Sequence, residues 1–239
     1  MRLSLVVPAF NEERLIAATL EHLHAGIAAL ERSGWCGELI VCDNNSTDRT
    51  AEIARGAGAR VVFEAVNQIS RARNAGARAA RGEWLLFVDA DSSPSVELFR
   101  DMLERIDTPR CVGGGCTVTL PRAPLGVRAW VGGWNFTSRV MRWAAGSFLF
   151  CEATAFRTVG GFSEELYAAE EIDLSRRLKA RFPERDFVIL HRHPLMTSGR
   201  KAELYGYREH LAFMWRMLTA GRRTLRSREA CSLWYDGRR

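Results

Sequence analysis

Apolar positions along this chain fall into two alternating rhythms. Unbroken or nearly unbroken apolar runs stand at "LSLVVPAF" (3–10), Leu39–Cys42, "ARVVFEA" (59–65) and "EWLLFVDAD" (83–91). None alternates with polar residues, as expected of strands covered on both faces. Between them lie stretches of helical spacing: 11–32 (apolar at 15, 16, 20, 23, 27 and 30), 47–58, a basic Ala-rich 69–82 closed by Gly82, and 95–106. Asn11 is expected to cap the first helix, with Glu12 and Glu13 in its first turn. Strand and helix thus alternate four times, which predicts an α/β domain with a parallel sheet and helices on both faces.

Beyond residue 110 the rhythm loosens. Residues 111–120 read as a strand, 121–146 mix prolines, glycines and tryptophans, and 147–162 read as a strand and short helix. A clear amphipathic helix covers 168–182, a strand with a polar end 186–201, and a basic helical tail the remainder. No internal repeat or low-complexity linker divides the 239 residues.

Charge changes the picture little. With 34 Lys and Arg against 28 Asp and Glu, the net charge of +6 suits polyanionic partners or a nucleotide pool. A nucleic-acid role rests on that charge alone, with no stacking-aromatic motif, and is not predicted. The six cysteines form no CxxC pair and no zinc spacing. Cys111 and Cys116 are expected as buried thiols in a reducing, cytoplasmic setting. No signal-peptide pattern opens the chain, and no apolar run is long enough to span a bilayer.

The chemistry gathers at strand ends. Three strands run into polar residues, "PAFNEE", "DNNSTD" and "DAD". Ligands of open α/β sheets bind beyond the carboxyl ends of the strands. In "GEWLLFVDADSSPS" (82–95), Asp89 and Asp91 are an i, i+2 pair, so both project to one side, about 7 Å apart. Two converging carboxylates repel unless a cation lies between them, and Mg²⁺ or Mn²⁺ accepts both carboxylate and substrate phosphate oxygens. A solvated strand-end turn is the alternative.

"VVPAFNEE", "CDNNSTDRTAEIA", "RARNAGARAARGEWLLFVDADSSPS", "GGF" and "EEIDLSRRL" occur in an order and spacing that resemble family 2 glycosyltransferases of the GT-A fold. The resemblance covers about residues 3–182, and "TSGRK" resembles a small bacterial subgroup. It implies a Rossmann-like, mostly parallel central sheet flanked by helices, in a single domain over 1–239. A nucleotide-binding half would cover 1–110, a less regular acceptor half 111–205 and the basic tail 206–239.

The resemblance also implies roles. Pro8, Ala9, Phe10 and Glu12 hold the nucleotide base, and Asp43 accepts from its ring N–H groups. Asn44 and Asn45 stand where the family has an acid and a glycine. Arg73 and Asn74 lie near the sugar-nucleotide, where Arg suits phosphate. Asp89, with Ala90 beside it, faces ribose or sugar hydroxyls. Asp91 binds the metal together with Asp89, and a late histidine, His193 or His191, joins them. Arg200, with Ser198 and Lys201, closes over the diphosphate. Glu171, where the family has Asp, is the general base of an inverting transfer, with Glu170 and Asp173 as competitors. Gly160 and Gly161 form a tight turn under the acceptor. Trp130 and Trp134 are core or acceptor contacts, with core favoured.

The implied function is a Mn²⁺- or Mg²⁺-dependent glycosyltransferase. It would move a sugar from a nucleoside-diphosphate donor, UDP favoured, to a hydroxyl or phosphate acceptor, saccharide or lipid-linked. The alternatives are a nucleotide-sugar binder without transfer activity and a sugar-phosphate nucleotidyltransferase. The latter lacks its Gly-rich phosphate loop here, and a dinucleotide-dependent oxidoreductase lacks G-x-G-x-x-G. The segment 211–228 sets apolar residues beside arginines. It reads as a peripheral contact with an anionic membrane, a dimer contact or a docked helix.

Overall fold

A computed structural model describes residues 1–120, 123–144, 147–197 and 222–231. The expected first half is present. Strands β1 (Arg2–Ala9), β2 (Cys36–Asp43), β3 (Arg60–Phe63) and β4 (Trp84–Val88) run parallel in the order β3-β2-β1-β4. They are linked by α1 (Ile16–Glu31), α2 (Thr50–Gly56) and α3 (Ile69–Ala79). After β4 come β5 (Ser92–Ser93), α4 (Val96–Ile106), β6 (Cys111–Thr119) and α5 (Leu125–Met141). Then follow β7 (Phe148–Glu152), α6 (Ala153–Thr158), α7 (Glu170–Arg181), β8 (Asp186–Thr197) and α8 (Arg222–Leu225).

The second half extends the same sheet to β3-β2-β1-β4-β7-β6-β8-β5. Here β7 lies antiparallel to both β4 and β6, while β6 and β8 are parallel. The sheet is therefore mixed, with a parallel half that carries the strand ends of interest.

Both faces are buried. Leu3, Leu5 and Val7 of β1 join Leu20, Leu23, Phe99 and Met102 of α1 and α4 in one core. Val6, on the opposite face, joins Phe87, Phe156, Phe162, Leu174 and Leu178 in the other. This two-sided burial explains the unbroken apolar runs. α3 lies close on β1: a Cβ at Gly76 would meet Val6 Cγ1 at 2.3 Å, so no larger residue fits there.

Three expectations need correction. α1 begins at Ile16, and Asn11 does not cap it. Asn11 instead takes a left-handed φ of 52° and turns its carboxamide toward Thr47, whose N–H it accepts at 2.8 Å. Residues 125–141, which the sequence leaves irregular, form a seventeen-residue helix. Its outward face is apolar, so the usual helical stripe is inverted. Trp130 is accordingly 65% exposed, outside the core where it was expected.

Residues 222–231 dock on the segment before α7. Tyr167 N–H donates to Leu225 O at 2.7 Å, Arg226 pairs with Glu165 at 2.6 Å, and Cys231 is buried. The other tail residues lie outside the described set, as do Ser198, Arg200 and Lys201. All six cysteines are free, and Cys111 and Cys116 are separately buried thiols. Among the described residues, no helix is long and apolar enough to cross a membrane.

Candidate active site

The first wall is built from the ends of β1 and β2. Ala9 and Asp43 are register partners, and Asn44 N–H donates to Ala9 O at 2.8 Å. The two following loops are laced together. Asn11 N–H donates to Ser46 Oγ at 3.0 Å and Glu12 N–H to Thr50 Oγ1 at 2.8 Å. Asp43 Oδ1 accepts from Ser46 N–H at 3.0 Å, which fixes this carboxylate at the strand end.

Asn45 has φ 67°, the left-handed conformation that a glycine serves in the family pattern and that Asn adopts more easily than other side chains. Asn44 is buried. Its Nδ2 donates to Glu64 O and Val66 O, and its Oδ1 accepts from Gln68 N–H at 2.9 Å. Replacing the family's acid with Asn thus ties the β2 turn to the segment leading into α3. Pro8, Ala9, Phe10, Glu12, Asp43 and Asn45 all meet at this one edge of the sheet.

The second wall centres on Arg73 of α3. Its side chain is fully buried, and it gathers three carboxylates. Nη2 donates to Asp89 Oδ1 at 2.8 Å, and Nη1 to Glu170 Oε1 at 2.9 Å and Glu171 Oε1 at 2.6 Å. Its guanidinium also lies 5.2 Å from the centre of the Phe162 ring. Arg73 was expected to face donor phosphate. The structure corrects this: both terminal nitrogens are committed to protein acids, and the Arg73 side chain itself is shut off from solvent.

Asn74 is likewise internal. Its Oδ1 accepts from Phe162 N–H at 3.0 Å, and its Nδ2 donates to Phe162 O at 2.9 Å. The carboxamide therefore rivets the glycine turn, in which Gly160 and Gly161 have φ 81° and 69°. A Cβ at Gly161 would come within 2.8 Å of Asn74 Oδ1, so only glycine fits both the φ and the space.

α7 brings in the acids at its start. Ala169, before its first residue, has φ 60° and ψ 20°, a left-handed conformation unusual for alanine. Glu170 points inward and is 2% exposed; burial first, then the neighbouring Glu171 charge, push its carboxyl up to about 8, against the pull of Arg73. Asp173 is held by Arg177 at 2.7 Å. Glu171, partly exposed, is the one of the three that reaches both Arg73 and the open side.

Asp89 is also fixed on its second oxygen, where Ser147 Oγ donates at 3.2 Å. Ser147 follows α5 in a stretch without a sequence motif, which is why inspection of the chain misses it. Asp91, two residues on, is partly exposed.

His193 does not join the two aspartates. Between the pairs Cys116↔Leu190 and Val118↔Leu195, β8 carries His191–Pro194 against Thr117 alone. The three extra residues bulge outward, and His193 Nδ1 meets Asp101 Oδ2 of α4 at 3.0 Å. His191 is also exposed there. Among the described residues, no three His, Cys, Asp or Glu side chains form a metal cluster. The donor set nevertheless suits Mg²⁺ or Mn²⁺ held by one or two carboxylates plus substrate phosphates, which needs no all-protein cage.

Comparison with known proteins agrees with this architecture. The Bacillus subtilis "uncharacterized glycosyltransferase EpsJ" is 32% identical over 118 residues, 47% of this chain and 33% of that protein. The chain thus spans about a third of that relative's length. A Pyrobaculum calidifontis mannosyltransferase solved with GDP-Man and Mn²⁺ superposes with a TM-score of 0.67 at 19% identity, over 90% of this chain and 64% of that one. Glucosyl-3-phosphoglycerate synthase from Mycobacterium tuberculosis, solved with Mn²⁺ and UDP, gives 0.65 at 20% identity over 94% and 79%. The fold is that of GT-A glycosyltransferases. The sequence model of Glycosyl transferase family 2 matches residues 4–158, more than half of the chain, and the chain belongs to that family.

Proposed function

We propose that this protein is an inverting, divalent-metal-dependent glycosyltransferase that uses a nucleoside-diphosphate sugar, UDP favoured. The observation that carries the proposal is the Arg73 guanidinium, which holds a strand-end acid, Asp89, and a helix-start acid, Glu171, at one point. A structural ion pair would need one partner. Here the cluster sits where two distant segments meet at the open edge of the sheet.

The base lies at the β1 and β2 ends. Asp43 Oδ1 is taken by Ser46, and its second oxygen accepts from a ring N–H of the base. Uracil offers one such group; guanine offers another. Asp91 and Asp89 would hold Mn²⁺ or Mg²⁺, which when bound offsets the charge of the departing diphosphate. Arg73 sets the Asp89 carboxylate in place from beneath, while Ser147 fixes its other oxygen. Arg200, outside the described residues, is proposed to close over the diphosphate.

In the transfer step the acceptor oxygen forms a bond to the anomeric carbon as the bond from that carbon to the diphosphate oxygen breaks. The nucleoside diphosphate leaves with the electron pair. Where the acceptor is a hydroxyl, Glu171 takes its proton. Glu's extra methylene, relative to the family's Asp, lets it hold Arg73 with one oxygen and reach the acceptor with the other.

Calorimetric titration with UDP, GDP, TDP and CDP, each with Mn²⁺ and with EDTA, tests the reading. Metal-dependent binding of one nucleotide, lost in Asp91→Ala, is expected. Absence of binding by all four would overturn it.

A further inference from the structure

α5 turns its apolar side outward. Leu125, Ala129, Gly133, Phe136 and Val140 recur at spacings of three and four, a single helical stripe, and every one is exposed. Leu125 is 80% and Phe136 70% exposed. Trp130 and Met141 widen the stripe on one side. Single exposed apolar residues are ordinary; a contiguous row of this size marks an interaction surface.

The helix cannot roll to hide the row. Asn135, on its inner side, donates from Nδ2 to Val118 O at 2.8 Å and accepts from Val118 N–H at 3.0 Å. Val131 and Ser138 are buried on that side, and Ser138 Oγ donates to Trp143 O at 2.6 Å. The sequence therefore fixes the apolar face toward the outside rather than leaving it by default.

Charge narrows the choice of partner. From residue 108 to 151 the chain has no Asp or Glu, yet it has five arginines. Exposed Arg128 and Arg139 line one edge of the apolar row, and exposed Arg142 follows its end. A second copy docking symmetrically would set arginines against arginines, with no acid in the segment to compensate. An anionic bilayer matches both features: rings and aliphatic groups enter the acyl boundary while arginines stay among the phosphates.

We propose that α5 is an interfacial helix that seats the protein on an anionic phospholipid surface. Its end is close in sequence to Ser147, which holds Asp89. The docking needs no nucleotide and is independent of the activity proposed above.

Sedimentation of the full chain with phosphatidylcholine vesicles, with and without phosphatidylglycerol, tests this. Partition onto the anionic vesicles, falling with salt, is expected. Trp130→Ser with Phe136→Ser should weaken it about tenfold, as should Arg128→Glu with Arg139→Glu. Both pairs are on the surface, and an unchanged urea midpoint establishes that the fold is intact. Three results would overturn the proposal. The chain does not partition; it partitions equally in the α5 variants; or light scattering finds a dimer that the α5 substitutions dissolve without any vesicle binding.

Discussion

Arg73 Nη2 lies 2.8 Å from Asp89 Oδ1, and the other end of the same guanidinium holds Glu170 and Glu171. One buried cation thus sets the strand-end acid and the helix-start acids in fixed relation. Removing it leaves three carboxylates facing one another in a site of low polarity. Breaking a buried pair on one side costs about 3–5 kcal/mol. Arg73→Ala should lose stability on that scale in urea unfolding. Adding Glu171→Gln should return part of the loss, because it removes one of the stranded charges. A loss below about 1 kcal/mol would match an exposed pair and contradict the buried one.

Glu170 gives the fold a pH signature. Its carboxyl rises from 4.5 to about 8 in the folded chain, chiefly through burial. Between those values the folded state binds more protons than the unfolded state, so stability falls as pH rises. The contribution is fully present below 4.5 and gone above about 8. Glu170→Gln stays neutral at every pH and should flatten this slope. Unfolding midpoints taken from pH 5 to pH 9 on both proteins would show it; parallel curves would refute it.

Ala169 has a φ of 60°, and so carries the strain that a glycine at this position would avoid. A left-handed alanine costs about 1–2 kcal/mol, while a glycine's extra unfolded-state freedom costs roughly 0.4–1 kcal/mol. The strain is the larger, so Ala169→Gly should stabilise by about 0.5–1 kcal/mol. Ala169→Val should destabilise by more, since branching at Cβ worsens the same clash. Thermal unfolding of the two variants reads the sign directly.

The parallel half of the fold was legible because its strands are buried on both faces, and so read as apolar runs between helical stripes. The strand-end positions were legible for a related reason: Pro8, Asp43 and Asp89 each stand at or just past the end of a parallel strand. What the sequence hid depends on tertiary packing. α5 escaped because its apolar stripe faces outward amid three glycines, Gly126, Gly132 and Gly133. The inward direction of Arg73 escaped because its partners lie on β4's end and on α7, far along the chain. His193 was misplaced because the β8 bulge turns it toward α4, which strand alternation cannot foresee.

Asp91 and Asp89 should separate by their structural load. Asp89 accepts from Arg73 and Ser147, so Asp89→Ala should lower both stability and turnover. Asp91 is partly exposed, so Asp91→Ala should chiefly abolish metal-dependent donor binding. A loss of about 100-fold in kcat/KM corresponds to about 2.7 kcal/mol of transition-state stabilisation. Unfolding and turnover measured together distinguish the two. Equal stability losses would show that Asp91 belongs to the same buried network.

Glu171 carries the sharpest expectation. Glu171→Gln keeps the shape and still accepts from Arg73 but cannot take a proton, so kcat should fall by about 10²–10⁴ with donor affinity little changed. Glu171→Asp restores the family's usual residue. It shortens the reach by one methylene, and because the acid must then serve Arg73 and the acceptor from further back, an intermediate kcat is expected. Asp173 is tied to Arg177 at 2.7 Å, so Asp173→Asn should disturb the α7 start and stability more than the chemical step. Single-turnover rates on a UDP-sugar donor read these effects apart from binding. Full activity in Glu171→Gln, with activity lost in Asp173→Asn, would move the base to Asp173 and leave Glu171 as a partner that only positions Arg73.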